Sequence, residues 1–175
     1  LTIIGYSIND TIVTFDMIRE NYNKILNQRN NLLKQISYKK DLADTLDIWN
    51  MQLVEYGSRI IQIRRQFVQE LNELLPCINA KLSGGRDNLC IKYEPNVSEN
   101  DFEKRLKQNE ERDFITKSTN CGPHRDDISF YVGDKNLKLY GSQGQQRTAA
   151  LALKLAEIEL VRSKIKESPI LLLDD

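Results

Sequence analysis

Two polar stretches near the end of the chain combine residue types that phosphate chemistry uses. The first is the loop Gly141-Ser142-Gln143-Gly144-Gln145-Gln146-Arg147, which leads into an Ala/Leu-rich run. The second is Asp174-Asp175, which follows the aliphatic run Ile170–Leu173. A helix start offers free N–H groups and a partial positive charge to an anion. A carboxylate at the end of a buried strand can hold Mg²⁺ at the sheet edge where α/β proteins bind ligands. Both stretches therefore indicate phosphate chemistry.

One helix and one strand must position these stretches. The run from Gln145 to about Lys164 is apolar over most of its circumference, which predicts a helix buried against a sheet. Ile170–Leu173 predicts a strand covered on both faces. Because side chains alternate along a strand, Asp174 can reach Mg²⁺ while Asp175 faces another part of the site, where it could orient or deprotonate a water. The plainer alternative is generic α/β structure with a polar strand end.

The first half of the chain has helical periodicity. Apolar spacing predicts one helix from Phe15 to Ile36, in which Arg29 interrupts the apolar face, and a longer one from about Leu42 to Leu75. Pro76 is expected to end or kink the second helix. The two helices predict an antiparallel hairpin. Residues 1–15 are expected to form a strand or an ordered tail.

The middle of the chain predicts mixed structure. Ser98 is expected to cap a short charged helix from Glu99 to about Asp113. Strand-like runs are Leu89–Tyr93 and Asp127–Val132, and Leu137–Tyr140 is expected to pair back on the latter after a turn.

A second candidate site precedes that hairpin, in the loop Gly122-Pro123-His124-Arg125-Asp126-Asp127. His124 is the only histidine of the chain, and a lone histidine is more often structural than catalytic. An exposed His124–Arg125 pair could nevertheless contact phosphate or DNA.

Composition sets outer limits. Lys plus Arg and Asp plus Glu are 25 each, so bulk charge predicts no nucleic-acid binding. The three cysteines form no Cys-x-x-Cys pair, which fits a reducing cytoplasm better than disulfides or a zinc site. No apolar run is long enough to span a membrane. The chain lacks an initiator Met and stops after its two carboxylates, so we expect a part of a larger protein.

The quoted motifs resemble a known family. Gly141–Arg147 resembles the signature motif of ABC-type ATPases, and Ile170–Asp175 resembles their Walker B strand. These segments resemble the RecF family of bacterial recombination and repair ATPases, as do three others: Cys121–Asp127, Tyr22–Asn30 and Trp49–Arg59. The resemblance covers nearly everything after residue 15, whereas residues 1–14 do not match the family pattern. Leu82-Ser83-Gly84-Gly85 spells four signature letters, but no helix pattern follows it, so we interpret it as a connecting turn.

The resemblance implies a nucleotide-driven clamp. In that family two heads dimerise with ATP between them, and the signature loop of one head touches the γ-phosphate bound to the other. Ser142 and the N–H of Gly144 would make this contact here, with Gln145 and Gln143 beside them.

The remaining implications concern cofactors and partners. Asp174 would hold Mg²⁺, and Asp175 would stand at the catalytic position where many ABC ATPases carry Glu. The family implies a weak DNA-dependent ATPase that binds ATP and single-stranded or gapped DNA in the cytoplasm. It would act with RecR and RecO in replication, gap repair and the SOS response, as an ATP-dependent homodimer without membrane contact.

One motif of the family is missing. No Gly-x-x-x-x-Gly-Lys-[Ser/Thr] occurs in the sequence, so the loop that cradles the nucleotide's own phosphates is absent. Two alternatives stay open: another SMC-like or RecN-like ATPase head, and a helical interaction module without an active nucleotide site.

The expected fold class is α/β, as an α+β fragment. Residues 1–14 are unassigned, residues 15–115 form a helical lobe, and residues 116–175 form a partial ABC-type ATPase head with a strand hairpin, the signature helix and Walker B.

Overall fold

The computed structural model of the chain describes residues 10–36, 45–85 and 87–165. Their elements, in chain order, are α1 (Asp10–Ile36), α2 (Leu46–Ser83), β1 (Leu89–Glu94), α3 (Phe102–Gln108), α4 (Glu110–Thr116), a 3₁₀ turn (Pro123–Arg125), β2 (Asp127–Val132), β3 (Lys135–Asn136), α5 (Leu137–Tyr140) and α6 (Gln143–Ile165). The predicted strand Ile170–Leu173 lies outside the described residues.

The described residues divide into two compact units. One consists of residues 10–64 and 95–127, and the other of residues 65–94 and 128–165. We call them the helical unit and the sheet unit. These units differ from the predicted lobes, residues 15–115 and 116–175. The later part of α2, and the whole of β1, belong to the sheet unit.

The helical unit contains the predicted antiparallel hairpin of α1 and α2. Tyr22 lies against Gly57, where a Cβ would be 3.0 Å from the Tyr22 ring. Two turns further along α1, the Arg29 Nε atom donates to Asn50 Oδ1 at 2.7 Å. Near the helix ends, Leu33 shares a buried cluster with Leu46. Successive contacts lie at increasing residue numbers in α1 and at decreasing residue numbers in α2. The two helices are therefore antiparallel, and this prediction is confirmed.

Gly57 has a packing reason to be glycine. A side chain there would collide with the ring of Phe102, which begins α3 and is fully buried. Gly122 is similar, because its φ of 132° is in the region that favours glycine and its Cβ would lie 2.9 Å from the Phe102 ring. Helix-interior glycine costs about 1 kcal/mol relative to alanine. Close packing against Phe102 offsets that cost.

Arg29 is fully buried at the centre of a polar network. Its Nη1 atom donates to Asp113 Oδ2 at 2.8 Å and to Thr119 Oγ1 at 2.7 Å. Asp113 is also fully buried, and its Oδ1 accepts from the N and Nδ2 atoms of Asn120, both at 2.9 Å. The interruption of the α1 apolar face is therefore an ion pair that joins α1, α4 and the loop after α4.

The sheet unit packs α6 and the later part of α2 on a three-stranded sheet of order β1-β2-β3. β2 and β3 are antiparallel, with Tyr131 opposite Asn136 and Val132 opposite Lys135. The α6 stripe in this core consists of small and aliphatic residues: Ala149, Ala152, Ala156 and Leu160. α6 is thus buried against a sheet, as predicted.

Two predicted boundaries were wrong. Residues 10–14 belong to α1 rather than to a strand or tail. α2 continues through Pro76 to Ser83, so the proline does not end it. The helical turn after Pro76 makes contacts that favour continuation of α2: Asn79 is buried, and its Nδ2 donates to the carbonyl of Asp87 at 2.9 Å. α2 then ends at Gly84 and Gly85, which have φ of 68° and 76°, as in a common helix C-terminus.

Two further differences concern short elements. Leu137–Tyr140 is a helical turn rather than a returning strand, because the Asn136 side chain accepts from Lys138 N at 2.9 Å and caps it. The charged helix predicted after Ser98 is split into α3 and α4 at Asn109. The predicted contact does form, with Asp101 N donating to Ser98 Oγ at 3.1 Å, but helical structure begins only at Phe102.

Candidate functional site

The loop before α6 is shaped by its own side chains. Ser142 Oγ accepts from Gln145 N at 3.2 Å, and Gln145 Oε1 accepts from Ser142 N at 3.0 Å. This reciprocal pair is a capping box, which fixes the position at which a helix begins. The carbonyl of Ser142 also accepts from Gln146 N at 3.0 Å, as the first bond of the helix. The sequence pattern Ser-x-x-Gln was the available signal for this cap.

The two glycines of the loop differ in what they require. A Cβ on Gly141 would lie 2.5 Å from the carbonyl oxygen of Leu137, so packing excludes a side chain there. A Cβ on Gly144 would meet only Ser142 Oγ, at 3.9 Å. Gly144 therefore leaves open space at the start of α6 that the fold itself does not need.

Polar groups converge on that open space. Helix geometry gives the N–H groups of Gln143 and Gly144 no partner inside α6. The bonds to Gln145 use Ser142 N–H as a donor and Ser142 Oγ as an acceptor, so they leave the Ser142 O–H proton available. Ser142, Gln143 and Gly144 are exposed, and Gln145 is partly buried. The arrangement can bind an anion through N–H groups and one hydroxyl.

The loop is also attached to α5. Gln146 Nε2 donates to the carbonyls of Leu137, at 3.3 Å, and Gly141, at 3.2 Å. Leu137 is buried in the sheet-unit core, which anchors the turn that precedes the loop. The sequence did not indicate this role for Gln146.

His124 lies in the 3₁₀ turn of the helical unit, and both of its ring nitrogens are engaged. Nδ1 is 2.8 Å from the Tyr22 hydroxyl, and Nε2 is 3.0 Å from the carbonyl of Thr119. Because a carbonyl only accepts, Nε2 carries the proton and Nδ1 accepts from Tyr22. Burial lowers the pKa of His124, so the ring is neutral near pH 7. Arg125 is exposed, and a phosphate or DNA contact at this pair remains a prediction.

The next acid, Asp126, has a structural role. Arg64 Nη1 donates to Asp126 Oδ2 at 2.9 Å and to the carbonyl of Pro123 at 2.6 Å. Asp126 Oδ1 accepts from Asn96 N at 2.8 Å. The loop is therefore held rigidly beside α2, which sequence spacing could not indicate.

The carboxylate pair at the end of the chain lies outside the described residues. The Mg²⁺ role of Asp174 and the catalytic role of Asp175 therefore remain predictions. Within residues 10–36, 45–85 and 87–165, no group of three or more His, Cys, Asp or Glu side chains could hold a metal ion. The same part of the chain contains no helix that is long and apolar enough to cross a membrane.

Comparisons with curated proteins point to one family. The chain is 57% identical over 155 residues to the DNA replication and repair protein RecF of Lachnoclostridium phytofermentans, covering 89% of this chain and 43% of that protein. It is 52% identical over 157 residues to RecF of Lachnospira eligens, with the same coverage. The chain therefore spans less than half the length of these relatives.

Comparisons with solved structures point to the same family. The recombination mediator protein RecF described as RecF-ATP has a TM-score of 0.85 at 34% identity, covering 93% of this chain and 46% of that one. The structure described as RecF-ATPrS has a TM-score of 0.83 at 33% identity, covering 89% and 44%. Fold and loop together define part of an ABC-type ATPase head. The chain belongs to the RecF family. The RecN-like alternative is not favoured.

One match concerns the start of the chain. Residues 1–54 match the family model described as protein export membrane protein SecD/SecF, C-terminal. This range is less than a third of the chain, and most of it overlaps the helical unit. It includes residues 1–14, which we predict do not follow the RecF pattern.

Proposed function

We propose that this chain supplies the signature half of an ATP-operated, DNA-binding RecF head. In a full-length protein that contains it, two heads would close on each other with ATP between them. The observation that carries this proposal is the open space at Gly144, beside two N–H groups without helical partners and an available Ser142 hydroxyl. An alanine at position 144 would fit the fold equally well, so a glycine there suits close approach of an external group.

Each candidate residue has a distinct proposed role. Ser142 donates its O–H, and Gly144 its N–H, to the γ-phosphate of the nucleotide on the partner head, with Gln143 and Gln145 beside them. Asp174 holds Mg²⁺ on its own head, and Asp175 orients or deprotonates the attacking water.

The proposed biological role follows from the family. The full-length protein would bind single-stranded or gapped DNA in the cytoplasm and work with RecO and RecR in gap repair, replication and the SOS response. Its weak ATPase activity would time the opening of the dimer. At the His124–Arg125 pair, the proposed phosphate or DNA contact is made by Arg125, because both His124 nitrogens are engaged.

The isolated 175 residues should not hydrolyse ATP. They contain no Walker A sequence to cradle the nucleotide's own phosphates. Measurable Mg-ATP turnover by the purified chain would contradict this assignment of half-sites.

The experiment that tests the function is Ser142→Arg in the full-length protein. Light scattering should show that ATP no longer drives dimerisation, while a fluorescent ATP analogue still binds one head. Ser163→Arg is the matched control, since it places the same side chain at an exposed position of α6 about 30 Å from the loop. If Ser142→Arg dimerises like Ser163→Arg, the loop is not the trans contact, and a helical interaction module becomes the better account.

A further inference from the structure

The signature loop is tied to the turn after α2 by one side-chain amide. Gln145 Nε2 donates to Asp87 Oδ1 at 3.3 Å, while Gln145 Oε1 accepts from Ser142 N at 3.0 Å. Asp87 and Gln145 are both partly buried. The same amide thus completes the capping box at one end and reaches a carboxylate 58 residues away in sequence at the other.

Asp87 is itself held in place from α2. Asn79, which is 2% exposed, donates through Nδ2 to the Asp87 carbonyl at 2.9 Å. Just before it, Gly85 N donates to the carbonyl of Ala80 at 2.8 Å and closes the end of α2. A continuous series of hydrogen bonds therefore runs from a buried residue of α2 to the signature loop.

The carboxylate decides which way the Gln145 amide points. An ionised carboxylate only accepts hydrogen bonds, so it selects the NH₂ end of the amide. The amide oxygen must then face Ser142 N–H, as the capping box requires. In the flipped orientation, oxygen would face carboxylate and NH₂ would face N–H, and both contacts would be repulsive.

We propose that Asp87 is a positioning residue for the trans nucleotide contact, acting through Gln145 on Ser142. The inference rests on the proposed function, because it assumes that Ser142 contacts the partner's nucleotide. Asp87 touches no nucleotide itself. It holds the Gln145 amide in the orientation that fixes the Ser142 backbone, so that the Ser142 hydroxyl is presented toward the partner before ATP arrives. Preorganised donors cost less to engage than donors that must first be ordered.

The test compares two variants of Asp87 in the full-length protein. Asp87→Ala removes the acceptor, and we expect the protein concentration for half-maximal ATP-driven dimerisation to rise about two- to twelvefold, the range of one hydrogen bond. Asp87→Asn retains an acceptor oxygen but also carries an NH₂ group, so it should recover part of the dimerisation that Asp87→Ala loses. ATP affinity of a single head, measured with a fluorescent analogue, should be unchanged in both.

Matched controls separate positioning from folding. Asp134→Ala removes the same charge from an exposed turn of the sheet unit and should dimerise like wild type. Gln145→Ala removes both contacts of the amide and should weaken dimerisation at least as much as Asp87→Ala. The double variant should be no worse than Gln145→Ala alone, because both changes act on one pathway.

Several results would overturn the inference. They are dimerisation of Asp87→Ala that matches Asp134→Ala, additive effects in the double variant, or equal loss of ATP affinity and dimerisation in Asp87→Ala without rescue by Asp87→Asn. Ser142→Arg distinguishes this failure from failure of the proposed function. If Ser142→Arg blocks dimerisation while Asp87→Ala does not, the function stands and only the role of Asp87 is refuted.

Discussion

Replacing Asp113 by asparagine should strongly destabilise the helical unit. Asp113 and Arg29 are both fully buried, and their N···O distance is 2.8 Å. The substitution keeps the side-chain shape but removes the negative charge. One end of the new amide is an NH₂ group, which must face either Arg29 or the two Asn120 donors.

The expected magnitude follows from the burial of the pair. Breaking a buried ion pair by removing one partner costs about 3–5 kcal/mol, because the other charge stays buried and uncompensated. No hydrogen bond through Nη2 compensates Arg29 for this loss, since that atom has no partner among the described residues. For a chain of this size, such a loss lowers Tm by about 6–20 °C.

Urea titration of the 175-residue chain, followed by circular dichroism, measures this loss. Glu103→Gln is the matched control, because it breaks the exposed Lys107–Glu103 pair in neighbouring α3 and should barely shift the midpoint. The variant that removes both charges, Arg29→Met with Asp113→Leu, should lose less than the sum of the two single variants. A change for Asp113→Asn as small as that for Glu103→Gln would refute the network's stabilising role.

Three other predictions concern the helical unit and the cysteines. Gly57→Ala should reduce the free energy of unfolding by about 1–3 kcal/mol, despite alanine's better helix propensity, because its Cβ would collide with Phe102; a more stable variant in urea titration would contradict that packing. Burial lowers the pKa of His124 in the folded protein, so the unfolded state binds more protons below pH 6.5. The free energy of unfolding should therefore be fully present above pH 6.5 and should fall as the pH drops toward the lowered pKa. This pH dependence should flatten in His124→Gln. Burial raises the pKa of Cys121 to about 11, so iodoacetamide should modify exposed Cys77 first, as mass spectrometry of the peptides would show; equal rates would contradict the burial of Cys121.

The sequence predicts best where one local pattern decides the outcome. α6 has a sustained apolar pattern and a loop that caps its own start, so its existence and burial follow from neighbouring residues. The alternating run after Gly85 likewise predicts β1. The antiparallel hairpin follows from two consecutive apolar stripes with helical spacing and a short break between them.

Errors arise where distant contacts override local preference. Pro76 weakens a helix locally, but Asn79 and the core around α2 favour its continuation to Ser83. The segment Leu137–Tyr140 has a strand-like sequence, yet the side chain of Asn136 caps a helical turn there. Gly57 is unfavourable inside a helix on local grounds, and only the position of Phe102 explains it.

The candidate site divides in the same way. The Ser142–Gln145 pair could be found from the sequence, because the two residues of a capping box are always three positions apart. Asp87 could not, since its contact spans 58 residues. The polar network around Arg29 was visible only as an interruption, because its partners lie 21, 84 and 90 residues away.

A mixing experiment tests the central claim most directly. Ser142→Arg disables the contact that one head makes with its partner's nucleotide, and Asp174→Ala disables Mg²⁺ binding on a head's own nucleotide. Neither full-length variant alone should hydrolyse ATP. In the mixed dimer, the Ser142→Arg head keeps its own Asp174 and meets the intact signature of the other head, so one complete site forms. We predict that the mixture regains ATP hydrolysis that neither variant shows alone; a mixture no more active than its two components would contradict the assignment of Ser142 and Asp174 to opposite sides of a shared site.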